Sequence, residues 1–424
     1  MHDLRMIREQ IEVLRDGMRR RGKLESLAPV IDRAQQLDTE RRTVIQALEE
    51  RKAARNTLSQ AVARIKREGG DAEQILSESR ALGDEISKLE GELAVVAGDL
   101  ETAMLEIPNV PHPDVPEGGE ENNTIVRSWG TPRGTTGLNP HWEIGVSLGL
   151  IDFERGAKIS GSGFIVFRGK GARLVRGLMN FMLDLHTSEH GYEEAWVPVI
   201  VNRASMSGTG QLPKFEDDMY AIRDEDLFLI PTAEVPITNL YAGEILSAAD
   251  LPKAMTGYSS CFRREAGAHG KDTRGLIRVH EFDKVELVRY ATPETALDEL
   301  ELLTSQAERV LQLLGLPYRV VLLSAGDTGF ASAKTYDLEV FAPGAGSWLE
   351  VSSCSVFTDF QARRSNIRYR PAEGGKPRFV HTLNGSGLAF PRVIAALLEH
   401  YQNADGTVEV PEVLRPYLGT DRLS

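Results

Sequence analysis

The sequence predicts an α+β protein: an antiparallel helical hairpin leading into a larger domain on a mainly antiparallel sheet flanked by helices. Three observations carry this. Apolar residues recur at heptad spacing over two long runs separated by one Gly-Gly break. A proline-punctuated, acidic stretch follows them. Beyond it, strand and helix patterns mix without the regular alternation of a doubly wound fold, and with no GxGxxG or GxxxxGKS.

Taken in order, Leu4, Ile7, Ile11, Leu14 and Met18 step by three and four, the spacing of one helix face. From about residue 37 the stepping returns and lasts. Leu37, Val44, Leu48, Leu58, Val62 and Ile65 fill seam positions, interrupted by Arg41, Arg51 and Arg55. "EGGD" at 68–71 ends that helix, and Ile75, Leu82, Ile86, Leu89, Leu93, Val96 and Leu100 form a second seam. Two such runs around one turn predict a coiled-coil arm over about 38–104. At the rise of an α-helix it would reach about 45 Å.

"IPNVPHPDVPEGGEENNT" at 107–124 cannot continue a helix, so it marks a linker between an N-terminal domain over 1–106 and a second domain over 125–424. In the latter, 172–191 and 294–315 read as helices, and 226–232, 318–324 and 347–357 as strands.

Charge is distributed unevenly. The 424-residue chain has a net charge of −13, which argues against a general nucleic-acid binder but leaves room for a local basic face. Residues 41–67 carry a net +6, and 68–101 a net −8. Two readings stay balanced: the arm helices attract each other, or the first offers its basic face to a polyanion. No apolar run approaches the length of a membrane span, and "MHDLRMIREQIEVLRDGMRRRG" is too charged for a signal peptide. The two cysteines, Cys261 and Cys354, lie far apart without a CxxC, which points to a reducing, cytoplasmic setting and no zinc. Both read as small buried hydrophobes.

The segment 262–286, "FRREAGAHGKDTRGLIRVHEFDKVE", packs thirteen ionisable side chains into twenty-five residues. Both of its ends read as strands around a charged, glycine-rich loop at 266–275. Arg263 and Glu265 would share a face; Arg278, His280, Phe282, Lys284 and Glu286 would share another, opposite Ile277, Val279 and Val285. His280 reads as a structural strand residue. Taken alone, the pattern fits a solvent-facing hairpin.

Two further segments change that reading. A helix at 172–191 runs into a strand ending near Pro198, and "HTLNGSGLAFPRVIAALLEH" at 381–400 gives a glycine-bearing strand, Arg392 and an apolar helix. With the charged segment they resemble motifs 1, 2 and 3 of the class II aminoacyl-tRNA synthetases. "PTAEVPITNLY" (231–241), "LEVSSCSVFTDFQARR" (349–364) and "TLNGSGLA" (382–389) narrow the resemblance to the bacterial-type seryl-tRNA synthetases, over essentially the whole chain. One departure is visible: Phe390-Pro391 stands where the resemblance leads one to expect Val-Gly. Proline fixes φ and lacks a donor, which suits a helix N-terminus.

The resemblance implies ATP with Mg²⁺, L-serine and tRNA(Ser) as ligands, with tRNA(Sec) as a further substrate, in a homodimer with no membrane association. Arg263 would hold the α-phosphate and the amino-acid carboxylate, and Arg392 the γ-phosphate; a guanidinium fork suits both tasks. Arg264, Glu265, Val279, Val351, Ser352 and Ser353 would complete the ATP site, with Glu265 on the adenine amino group. Glu350 and Ser353 would ligate Mg²⁺ through oxygen. Thr232, Ala233, Glu234, Arg263, Glu286 and Ser386 would bind serine, Glu286 reading its hydroxyl. The loop 266–275 would be a lid that meets the tRNA end, and the arm would grip a long variable arm of the tRNA.

Three rivals stay open. A binding protein with a dead catalytic domain would be free to lose Arg263, Glu265, Glu350 and Arg392, which are all present. A ligase acting on a carrier protein has no use for the arm. A synthetase for another small amino acid is separable by activation assays.

Overall fold

The computed structural model describes residues 1–266 and 274–424. Most of the expected lid, 267–273, lies outside the described residues. The chain forms two compact units, one of residues 1–19 and 23–108, the other of residues 20–22 and 109–424.

The larger unit is built on an eight-stranded sheet. From edge to edge it runs Thr124–Trp129, Tyr318–Leu322, Lys334–Ala342, Ser347–Val356, His381–Ala389, Glu281–Ala291, Lys253–Phe262 and Glu193–Glu194. Every neighbouring pair is antiparallel except the last. The expected helices appear as Lys170–Ser188 and Ala296–Leu313 and, with Phe390–His400, bury Leu178, Leu300 and Ile394 against Val285, Leu287 and Leu338 of the sheet. Strand alternation then puts Lys284 and Glu286 on the opposite face.

Besides a register shift at the edge between Ile125 and Arg127, the sheet departs from regularity at three places around that opposite face. Ser347–Val356 and His381–Ala389 pair only at Ser355 with Asn384 and Val356 with Leu383, so the two strands diverge. A bulge at Val351 sets Ser352 opposite Leu338 but Glu350 opposite Glu339. A second irregularity falls between Ser386 and Ala389, where the buried Leu388 takes φ +117°. Such breaks re-aim side chains that strict alternation would send elsewhere.

Two expectations need correction. The strand after the motif 1 helix contributes only Glu193–Glu194 to the sheet; Ile200–Asn202 pairs with Leu227–Leu229 in a small sheet of its own. The charged hairpin is also shorter than its pattern. Its strands end at Phe262 and begin at Glu281, because Glu265 takes φ +51° and 277–280 bend. Glycine and charge outside the ladder outweigh alternation there. Among the described residues no helix is long and apolar enough to cross a membrane.

The smaller unit is helical. The expected first helix is interrupted at Gln10, giving Leu4–Glu9 and Ile11–Arg20. The arm consists of Leu24–Arg67 and Glu73–Leu105, antiparallel across the Gly-Gly turn. Its first helix begins earlier than the heptads suggest, carrying Pro29 in its second turn. Leu37, Val44, Leu48 and Leu100 are buried, whereas Leu58, Val62, Leu82 and Leu89 are only half-buried, as a two-helix seam requires. Arg51 pairs with Glu85 at 2.7 Å and Lys52 with Glu90 at 2.8 Å, so part of the basic face serves helix attraction.

The same unit buries one carboxylate. Both Asp38 oxygens accept from Arg8 at 2.6 Å, and Arg41 and Arg42 lie within 3.5 Å. These hydrogen bonds and charges hold the Asp38 carboxyl below the usual range. Its stabilisation is therefore present above the ordinary carboxylate pKa and lost as pH falls through the depressed one. Asp38→Asn should cost about 2 kcal/mol at neutral pH. In thermal melts followed by circular dichroism, the gap to wild type should close in acid.

Candidate active site

Where the strands diverge, a cleft of about 550 Å³ opens on the face away from the helical core. Chain segments far apart in sequence line it. Thr232 and Glu234 come from the turn after Leu227–Leu229, and Arg263 and Glu265 follow strand Lys253–Phe262. Ile277, Arg278 and Val279 precede strand Glu281–Ala291, which adds Phe282 and Lys284. Glu350 to Ser353, Asn384, Ser386 and Arg392 complete the wall.

At the buried end sits Glu286, 0 % exposed. One oxygen accepts from Thr232 Oγ1 at 3.0 Å and contacts Lys284 Nζ; the other accepts from Asn384 Nδ2 at 3.0 Å. Lys284 Nζ also donates to Thr232 Oγ1 at 2.8 Å, and Thr232 Oγ1 accepts from the Glu234 amide at 3.1 Å. Glu234, also buried, accepts from Gln361 Nε2 at 2.7 Å. Burial, and then the charge of Glu286, push the Glu234 carboxyl up to about 7.

The open end is rich in paired charges. Arg263 lies over the Phe282 ring at 5.1 Å, and Arg278 bonds Glu265 at 2.5 Å. Arg392, in the first turn of Phe390–His400, donates to Ile277 O at 3.1 Å and Glu350 O at 2.8 Å, and pairs with the Glu350 carboxylate at 3.3 Å. Pro391 occupies the second helical position, where a missing donor costs nothing, so the Phe390-Pro391 departure leaves Arg392 aimed into the cleft. The Val351 bulge lets Glu350 and Ser353, three apart, both reach the cavity.

Of the sequence-predicted residues, Thr232, Glu234, Arg263, Glu265, Val279, Glu350, Val351, Ser352, Ser353, Ser386 and Arg392 line one cleft, with Glu286 directly behind. Two stand apart. Arg264 turns outward to Asp217 O at 2.9 Å, and Ala233 is buried with Val197 and Ile237. His280 carries its Nδ1 to Arg263 O at 3.0 Å, a structural contact. Both cysteines are free and buried, their thiols raised by desolvation, Cys354 to about 12.

Sequence reasoning missed Lys284 and Asn384 as partners of Glu286. Lys284 shares the expected face with Glu286 without an assigned role, and Asn384 lies two residues from Ser386 on its strand, where face-sharing could have found it. Gln361 and Asp337 carried no such signal. Asp337 is half-buried, hydrogen-bonds Ser353, and leaves a shielded Oδ1 unpaired; desolvation and then the charge of Glu350 raise its carboxyl.

Comparison with known proteins gives the family. Residues 214–401 match the tRNA synthetase class II core domain (G, H, P, S and T), and residues 1–111 the seryl-tRNA synthetase N-terminal domain. These matches and the fold are those of a class II aminoacyl-tRNA synthetase, a ligase. A serine–tRNA ligase of Gemmatimonas aurantiaca is 65 % identical over 99 % of both chains. One of Carboxydothermus hydrogenoformans is 53 % identical over 100 % of this chain and 99 % of its own. The seryl-tRNA synthetase of Pyrococcus horikoshii, solved in complex with ATP, superposes with a TM-score of 0.93 at 38 % identity, covering 100 % of this chain and 99 % of that one. The chain belongs to the seryl-tRNA synthetase family.

The raised Glu234 carboxyl gives a signed expectation. Unfolded chains release this proton near the ordinary value of 4.5, whereas the native protein holds it to about 7. Native stability therefore falls as pH rises between those values and levels off above them. Glu234→Gln should match wild type at pH about 4 and exceed its melting temperature at pH about 8.

Proposed function

We propose that this chain activates L-serine with ATP to seryl-adenylate and passes the seryl group to the 3′ end of tRNA(Ser). The observation that carries the reading is a single cleft with Arg263 and Arg392 on separate segments at its open end and the Glu286 network at its buried end. In the first step a serine carboxylate oxygen attacks the α-phosphorus in line and pyrophosphate leaves. That step needs no covalent nucleophile; it needs cations that hold phosphate oxygens and neutralise developing charge.

In this reading Arg263 bridges the α-phosphate and the serine carboxylate, and Arg392 takes the γ-phosphate. Glu265 accepts from the adenine amino group beside Val279. Arg392 is paired with Glu350, so an incoming phosphate exchanges one acceptor for another. Mg²⁺ fits the oxygen donors there: Glu350 and Ser353 reach the cleft, and the unpaired Asp337 Oδ1 offers a further oxygen behind Ser353. The ion would supply charge neutralisation on the phosphates. Glu286 and Ser386 take the serine hydroxyl, and Glu234 its ammonium group. Alanine would forgo the hydroxyl contact with Glu286, whose place is fixed by Thr232, Lys284 and Asn384, and so would be bound less well than serine.

The domains of this reading are a tRNA-binding part over 1–106, a linker over 107–124 and a catalytic part over 125–424. The working form is a cytoplasmic homodimer through the motif 1 region, supported by the exposed Trp196 beside it. By the same resemblance, tRNA(Sec) is a second acceptor.

Pyrophosphate exchange tested with serine, threonine, alanine and glycine should depend on serine. Arg263→Ala and Arg392→Ala should each lower it by about 10² to 10³. Serine-dependent exchange that survives both substitutions would sink the assignment.

The arm makes a separate prediction. Arg51 and Lys52 are engaged by Glu85 and Glu90, so phosphate contacts should fall on Arg64, Lys66 and Arg67, which make no ion pair among the described residues. Reversing these three charges should leave exchange unchanged and raise the KM for tRNA, with weaker salt dependence of binding. Equal charging by the variant would show that this face does not meet the tRNA.

A further inference from the structure

Behind the cleft wall lies a buried pair that the reading above does not use. His141 opens the helix His141–Ser147, and Glu399 lies near the end of Phe390–His400; both are fully buried. His141 Nδ1 meets Glu399 Oε1 at 2.7 Å, and the His141 amide donates to the same oxygen at 2.9 Å. Glu399 Oε2 accepts the Gly344 and Ala345 amides at 2.8 and 3.0 Å. The carboxylate is thus anchored by two segments besides its own helix. Because it can only accept from the ring, Nδ1 carries the proton and Nε2 is left bare.

Among the described residues that bare nitrogen has one hydrogen-bond partner. The buried Leu276 amide donates to His141 Nε2 at 3.0 Å. Leu276 is followed directly by Ile277, Arg278 and Val279, which line the cleft. The next carbonyl along, that of Ile277, accepts from Arg392 Nε. Arg392 and Glu399 lie two turns apart on one helix, so this helix holds the cleft-lining segment twice, directly and through His141. The fit is close: Gly275 takes φ +72°, and a Cβ there would stand 2.3 Å from His141 Nε2.

We infer that His141, fixed in one tautomer by Glu399, is a positioning residue that sets the Leu276–Val279 wall, and with it Arg392, for ATP. The inference rests on the proposed function for the identity of the nucleotide. His141 touches no substrate in this role. An imidazole acceptor and a carboxylate orienter, both out of water, serve to hold one amide at one height. Leaving that buried amide unpaired is costly enough to move the wall.

The test uses the full chain. His141→Phe keeps the ring volume and removes the acceptor; Gly275→Ala leaves the His141–Glu399 pair intact and pushes the chain off it. His141→Gln returns an oxygen near the place of Nε2. Binding of ATP with Mg²⁺ is measured by calorimetry, and the KM values for ATP and serine by pyrophosphate exchange. The first two variants should weaken ATP binding and raise its KM about tenfold, with the serine KM within about twofold. His141→Gln should recover part of the loss. ATP binding at the wild-type level in both His141→Phe and Gly275→Ala would overturn the inference, as would equal rises in both KM values. If His141→Phe does not fold, Gly275→Ala alone decides. A wild-type chain that binds ATP but shows no serine-dependent exchange would defeat the functional reading only, since the calorimetry still ranks the variants.

Discussion

A carboxylate shielded from water has to be paired, and Glu286 imposes that condition on the whole sheet. Its partners come from three places: Thr232 from a turn, Lys284 from its own strand, Asn384 from the neighbouring strand. Asn384 reaches it only because Ser386 stands opposite Glu286 in the ladder. A slip of one residue would send Glu286 toward Leu300 and Leu303 and bring Leu287 into the cleft. An unpaired charge in that core would cost several kcal/mol. Register and recognition are therefore one constraint here, satisfied by the same hydrogen bonds.

The cleft then divides by how firmly its charges are held. Arg278–Glu265 and Arg392–Glu350 lie at the mouth, with side chains between 20 % and 45 % exposed. Pairs so open to water are worth about 0–1 kcal/mol and exchange partners readily. Lys284–Glu286, at 6 % and 0 %, is fixed. A polyphosphate competing for the outer guanidinium groups would meet little resistance. A small hydroxylated ligand at the inner end would meet a preorganised site, where discrimination is strongest. The amino-acid half of the proposed reaction thus rests on rigid polar groups, and the nucleotide half on displaceable ones.

Much of this was legible in the sequence, and the limits have physical causes. Heptad spacing placed both arm helices, since a 3.5-residue repeat needs no tertiary context. Period-two alternation put Lys284 and Glu286 on one face correctly, because their strand is regular. It failed over 277–280, where the chain bends before the ladder begins, so that Ile277 and Val279 line the cleft beside Arg278 while His280 does not. It would equally have put Glu350 and Ser353 on opposite faces; only the motif resemblance joined them, and the Val351 bulge is why they do meet. Bulges are set by neighbouring strands, so a single strand's pattern does not announce them. Arg264 is assigned to the ATP site by the resemblance alone; its side chain lies outside the cleft lining and donates to Asp217 O.

The helix Phe390–His400 joins core and site most economically. Val393, Ile394, Leu397 and Leu398 form an apolar stripe that belongs to the main core. Arg392 and Glu399 flank that stripe seven residues apart, so both emerge on one side, one into the cleft and one beneath its wall. An apolar stripe fixes a helix's rotation about its own axis, and with it the direction of every polar group the helix carries. Aiming Arg392 is thus done by the hydrophobic effect acting on its neighbours. The preceding Pro391, which needs no amide partner in the first turn, starts the helix without disturbing that rotation.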